Sequence, residues 1–154
     1  MLDLIEKLSY LNGTSGDEKE VSDFIIKNLP KDVSYRIDNI GNLIVEKKGR
    51  KAPEKKLMLA AHMDEVGFIV TYITDEGFLK FAPVGGISPS VVFGRQVKFK
   101  NSITGVIASK PIHLLSSDEK DAQPKIDELY IDIGADSKEQ ALEAVSLGDC
   151  AYFT

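Results

Sequence analysis

Cysteine is almost missing from this chain: Cys150 is the only thiol in 154 residues. That excludes a disulfide framework and a cysteine-built zinc cluster, and it fits a reducing, cytoplasmic setting. Tryptophan is absent altogether, which leaves little to build the aromatic platforms of a sugar-binding cleft. No run of about 18 apolar residues is available to span a bilayer. The opening MLDLIEKLSYLNG is broken by Asp3, Glu6 and Lys7, where an export signal would be basic and then apolar. Positive charge is also short. A net charge of -5 argues against a nucleic-acid or anionic-membrane surface, which needs clustered Lys and Arg with a net positive face. The basic stretch EKKGRKAPEKK, Glu46 to Lys56, reads as a solvated loop. Histidine is scarce, with His62 and His113 the only two.

What remains is globular material: 43% hydrophobic and 28% charged residues suit one domain or two small ones rather than a disordered chain. Leu4, Ile5, Leu8 and Leu11 recur at helical spacing, and Asn12-Gly13 supplies a stop. The tetrapeptide SGDE, Ser15 to Glu18, has the form of a capping box for a second helix, whose apolar face is Val21, Phe24, Ile25 and Leu29 and whose end is Pro30. The period then drops to two. Val33, Tyr35 and Ile37 alternate, DNIGN turns the chain and LIVE returns it, which predicts a hairpin. After the charged loop, Leu57 to Ala61 is an unbroken apolar run, the pattern of a strand covered on both faces. From Gly67 onward short strands follow closely, among them FIVTYIT with FLKF, the pair around Lys100-Asn101-Ser102, and ELYIDIG. Phe68, Val70 and Tyr72 are expected on one face. SKEQ, Ser137 to Gln140, caps a helix carrying Ala141, Leu142 and Val145 before the chain reaches GDCAYFT. The expectation is an α/β start of two helices, a hairpin and a buried strand over residues 1–66, followed by a small β-barrel or sandwich over 67–154. The α/β start never acquires the further strands and helices that would cover its last strand.

That last strand runs into His62-Met63-Asp64. A single histidine at a strand end is more often packed or hydrogen-bonded than a ligand. Here, however, it follows a buried strand, and open α/β sheets place ligand crevices outside the carboxyl ends of such strands. Asp64, two positions on, points to the same side of an extended chain and can orient the imidazole. Glu65 adds a further oxygen.

The ordered segments LMLAAHMDEVGFIV, GFLKFAPVGGISP, GVIASKPIHLL, PKIDELYIDIGADSKEQA and LGD, with IGNLIVEKKG before them, resemble the N-terminal portion of the glutamyl or deblocking aminopeptidases. These are cocatalytic metallo-aminopeptidases that form tetrahedral shells, and relatives have sometimes been labelled cellulases or endoglucanases. The resemblance implies a peptidase α/β domain, 1–66, interrupted by an inserted β-barrel, 67–154, used in assembly into a homo-oligomer. It implies that His62 binds one of two divalent metal ions, zinc or cobalt, that Asp64 is a catalytic support beside it, and that the substrate is the N-terminus of a peptide. The family's other equipment, a bridging aspartate, paired glutamates, another aspartate and a final histidine, has no place in this sequence. Catalytic zinc takes about three protein ligands, so the chain alone is expected to be inactive, an N-terminal fragment that stops before the return to the peptidase domain.

Other residues carry weaker readings. His113 reads as a structural or interface residue. Asp127, Glu128, Asp132 and Asp136 read as polar flanks of a strand. VGGISPS lacks the spacing of a phosphate loop, Ser15 and Ser88 lack a histidine-acid context for nucleophilic catalysis, and nothing beside Cys150 lowers its pKa. Two alternatives stay open: a non-catalytic assembly module derived from the same family, and, less favoured without tryptophan, a glycoside hydrolase.

Overall fold

The computed structural model describes residues 2–51, 54–110 and 125–154. Helices α1 (Leu2–Ser9) and α2 (Lys19–Lys27) come first, then strands β1 (Val33–Ile37) and β2 (Leu43–Lys47). The hairpin forms where the alternation predicts it, antiparallel with Tyr35 opposite Val45. Its turn is tied by Asp38, whose carboxylate accepts from the Ile40 and Asn42 backbone and from the Asn42 amide. Those bonds hold the Asp38 pKa below the ordinary range, with the Asn42 side chain the largest cause.

All six barrel strands follow: β3 (Gly67–Ile73), β4 (Leu79–Val84), β5 (Gln96–Phe99), β6 (Thr104–Ala108), β7 (Tyr130–Asp132) and β8 (Cys150–Phe153). They close in the order β3-β4-β7-β6-β5-β8, so every strand has two neighbours. A short helix, α3 (Pro89–Val92), precedes β5, and α4 (Lys138–Ala144) precedes β8. As the SKEQ pattern predicts, the Ser137 side chain accepts from the Gln140 backbone and caps α4. Ala141 and Val145 of that region are buried, while Leu142 faces solvent.

Strands of three to seven residues can close so small a barrel because their inward residues fill it. Phe68, Ile73, Leu79, Val97, Ile107 and Ile131 are all buried. Phe68 anchors the set, edge-on to Phe81 at 5.0 Å and tilted against Phe153 at 5.2 Å. Each such side chain contributes roughly 1.5–3 kcal/mol by leaving water. At Gly105 a Cβ would stand 2.9 Å from the Asp132 carbonyl oxygen and against Ile131, so only glycine lets β6 approach β7 this closely.

Three expectations are corrected. Tyr72 does not share the inward face of Phe68 and Val70. A bulge between Val70 and Tyr72 shifts the register against β4, turning Tyr72 outward and Ile73 inward. The SGDE capping box does not form, because Glu18 is the N-cap of α2 without a side-chain cap bond and the Ser15 hydroxyl is bonded elsewhere. The stretch Leu57 to Ala61 is not a buried strand. It makes no ladder, and Leu57, Met58 and Leu59 are more than four-fifths exposed. An apolar run becomes a covered strand only beside other strands and under helices, and no described strand pairs with this one.

Candidate functional site

The approach to the site is built from the loop between α1 and α2. The Glu65 backbone donates to the Gly13 carbonyl at 2.7 Å, and Thr14 and Glu65 form a parallel bridge. The Asp17 backbone closes a tight turn on the Thr14 carbonyl, also at 2.7 Å. Asp17 then reaches the barrel, where its carboxylate accepts from the Tyr152 hydroxyl with one oxygen and pairs with the Lys100 ammonium with the other. Tyr152 is 1% exposed. Burial first, and the Asp17 carboxylate next, push its hydroxyl pKa far above the usual tyrosine range.

His62 and Asp64 stand beside this loop. The imidazole is 84% exposed, not sealed in an apolar interior. Its Nδ1 lies 2.9 Å from the Asp64 carbonyl oxygen and 3.1 Å from Asp64 Oδ1. Both neighbours are acceptors, so Nδ1 carries a proton, and in the neutral ring the lone pair is on Nε2. The other carboxylate oxygen, Oδ2, accepts a hydrogen bond from the Ser15 hydroxyl. That bond is the largest cause holding the Asp64 pKa below its ordinary value, opposed in part by desolvation and aided by the Asp64 backbone and by His62. Burial raises the Glu65 pKa, with Lys98 opposing.

Hollows open on both sides of this segment. One, about 430 Å³, is walled by Ile5, Leu8, Leu11, Val21 and Ile25 and includes His62 and Asp64. The other, about 220 Å³, lies toward the hairpin turn, with Glu18, Ile40, Asn42 and Leu43.

A histidine whose Nδ1–H is held by oxygen, with Nε2 unengaged among the described residues, has the form of a metal ligand. The pair therefore fits one corner of a divalent-cation site. The described residues do not complete it: among them no three His, Cys, Asp or Glu side chains gather where an ion could sit. Glu128 caps the short turn Ile126–Glu128 by accepting from the Lys125 backbone, and Asp127 contributes a carbonyl to Lys80. Asp132 accepts from the Gly134 backbone, and the Asp136 backbone donates to Gln140. The Glu128 and Asp132 carboxylates thus bond local backbone, whereas Asp127 and Asp136 take part in these bonds through their main chain. Ser88 bonds Ser90, and the Cys150 thiol is pushed up by burial. His113 lies outside the described residues. Sequence reasoning missed Ser15 and Asp17 as parts of the site, since SGDE was explained by helix capping.

The sequence profile of the M42 glutamyl aminopeptidases matches residues 41–154, most of the chain. The chain belongs to that family. A candidate aminopeptidase of Acetivibrio thermocellus is 44% identical over 154 residues, which cover 99% of this M42 chain and 44% of that protein. The TET1 peptidase of Pyrococcus horikoshii, described as assembling into a tetrahedron or a large octahedral shell, superposes with a TM-score of 0.86 at 39% identity, over 99% of this chain and 46% of its own. A Thermotoga maritima structure named as an endoglucanase superposes at 0.80 with 40% identity, over 96% and 43% of the two chains. This M42 chain thus spans less than half the length of the relatives it matches. Among its described residues no helix is long and apolar enough to cross a membrane.

Proposed function

We propose that this chain is the N-terminal part of a metal-dependent aminopeptidase, in which His62 holds one of two divalent ions, zinc or cobalt, and Asp64 orients the imidazole. Residues 1–66 are then the beginning of the peptidase domain, and 67–154 are the inserted barrel through which copies of the protein assemble. The observation that carries this reading is the His62–Asp64 geometry in an M42 chain: Nδ1 is taken by two acceptor oxygens, while Nε2 is left on an open segment. Two bound metal ions would polarise the peptide carbonyl and bring water toward pKa ~7. The chain's own residues contribute the ligand, its orientation and the hollows beside it. Peptide N-termini are the proposed substrates, hydrolysed in a cytoplasmic setting.

Zinc titration followed by imidazole NMR tests the ligand. Binding is expected at His62 with an affinity in the millimolar range, since one imidazole is far short of the usual three ligands. No response of His62, or saturation at nanomolar zinc, would refute the proposal. Release of N-terminal residues from peptides by this chain alone is expected to be nil.

A second reading, a non-catalytic assembly module, is favoured by one observation: the barrel is closed, while among the described residues no metal shell is complete. Retention of oligomers by a protein that binds no zinc at His62 would support it. The glycoside hydrolase alternative has the endoglucanase name of one homologue in its favour and the absence of tryptophan against it. Sugar release from cellulose without aminopeptidase activity would decide for it.

A further inference from the structure

We infer that Ser15 is a positioning residue for the His62 corner, acting through Asp64, an inference that rests on the reading of His62 as a metal ligand. The two oxygens of the Asp64 carboxylate are divided: Oδ2 takes the Ser15 hydroxyl, and Oδ1 faces His62 Nδ1 at 3.1 Å. A carboxylate held by one oxygen only can rotate about its Cβ–Cγ bond. A second donor on the other oxygen removes that freedom and keeps Oδ1 turned to the ring. Ser15 is suited to this because its loop is itself held at both ends. Thr14 bridges to Glu65 and the Glu65 backbone bonds Gly13, while Asp17 is bonded to Tyr152 and Lys100 of the barrel.

The hydroxyl has also forgone its local alternative. Ser15 heads an SGDE tetrapeptide that could have capped α2, yet the cap position falls to Glu18 and the hydroxyl reaches across 49 residues to Asp64. Meanwhile Glu18 accepts from the Gly16 backbone at 2.7 Å, keeping the Ser15–Gly16 turn closed. The Asp64 carbonyl oxygen at 2.9 Å holds Nδ1 independently of Ser15, whereas the share of the ring's orientation that comes from Oδ1 depends on a loop anchored to the barrel, through the Ser15 hydroxyl.

The test uses the ¹⁵N-labelled 154-residue chain and reads the tautomer of His62, with His62→Gln assigning its signals against those of His113. The ring should be mainly Nδ1–H. In Ser15→Ala the ratio of Nδ1–H to Nε2–H should fall by up to about fivefold, the limit set by losing the Oδ1 hydrogen bond entirely, while Ser15→Thr, which keeps the hydroxyl, should stay near the original ratio. Asp64→Ala should reproduce the loss, and Ser15→Ala added to Asp64→Ala should do nothing more. An unchanged ratio in Ser15→Ala, with barrel amide shifts intact, would overturn the inference, as would a Ser15→Ala effect that persists in the Asp64→Ala background. Zinc added to the unsubstituted chain separates the two claims: a tautomer shift with no zinc response at Nε2 would overturn the metal reading and leave only a structural hydrogen bond.

Discussion

Replacing Asp17 by alanine removes one of the contacts that tie the α1–α2 loop to the barrel, and its cost can be built from the two bonds that Asp17 makes. Tyr152 is 1% exposed, so without the carboxylate its hydroxyl is left in the interior with no acceptor, a loss of about 1–3 kcal/mol. The Lys100 ammonium is a different case. Its side chain is 57% exposed and that of Asp17 22%, so water and salt screen the pair, which contributes about 0.2–1 kcal/mol. Asp17→Ala should therefore destabilise the chain by about 2–3 kcal/mol. Tyr152→Phe should cost less, about 1–1.5 kcal/mol, because Asp17 keeps both Lys100 and some water. Lys100→Ala should cost at most ~1 kcal/mol. Urea unfolding followed by far-UV circular dichroism reads all three. With a slope of about 2 kcal/mol per molar, the Asp17→Ala midpoint should drop by roughly 1 M. The double substitution of Asp17 and Tyr152 should cost less than the sum of the singles, since both delete one bond. If Lys100→Ala were as damaging as Asp17→Ala, the anchor would be an ion pair and the assignment to the buried hydroxyl would be wrong. A cost below ~0.5 kcal/mol for Asp17→Ala would refute it outright.

Alkali should weaken the same contact. Tyr152 keeps its proton in the folded chain to a pH well above the value of about 10 at which an unfolded tyrosine loses it, so the folded state binds the extra proton in that window. Stability is complete below about pH 10 and falls as pH rises past it; the decline should be shallower in Tyr152→Phe, measured as midpoint against pH. Gly67→Ala should cost about 1–3 kcal/mol, because its methyl would land on the buried Thr14 side chain and within 3.0 Å of the Ala151 carbonyl oxygen. Thermal melting reads the loss, and an unchanged Tm would show that Thr14 can move aside freely. Leu57→Ser together with Leu59→Ser should leave the unfolding midpoint within the change of about 0.5 kcal/mol expected at exposed positions while raising solubility. A large destabilisation would show that this run is covered in solution.

The hairpin at Asp38 to Asn42, the Ser137 cap and the pairing of His62 with Asp64 were legible because each is decided by residues within a few positions. Asp38 reaches backbone donors two and four residues on, and Ser137 reaches one three residues on. Ser15 was misread for the opposite reason. Its local option and its actual partner compete for one hydroxyl, and the winner is 49 positions away. The Leu57 to Ala61 run shows a related limit: apolar composition states what a segment could be buried against, not whether those partners exist among the described residues. Tyr72 failed by a single inserted residue, since a bulge reverses the face of everything beyond it while leaving composition unchanged. Barrel closure was within reach as a class, but the choice of closed barrel over sandwich rests on the β3–β8 pairing of residues more than 80 positions apart.

That pairing joins the two ends of the module. Phe68 lies across from Ala151, so the polypeptide enters and leaves the six strands through neighbouring positions about 4.8 Å apart. A host could be cut at one surface point, accept this body like a pendant on a clasp, and resume its own course with hardly any detour.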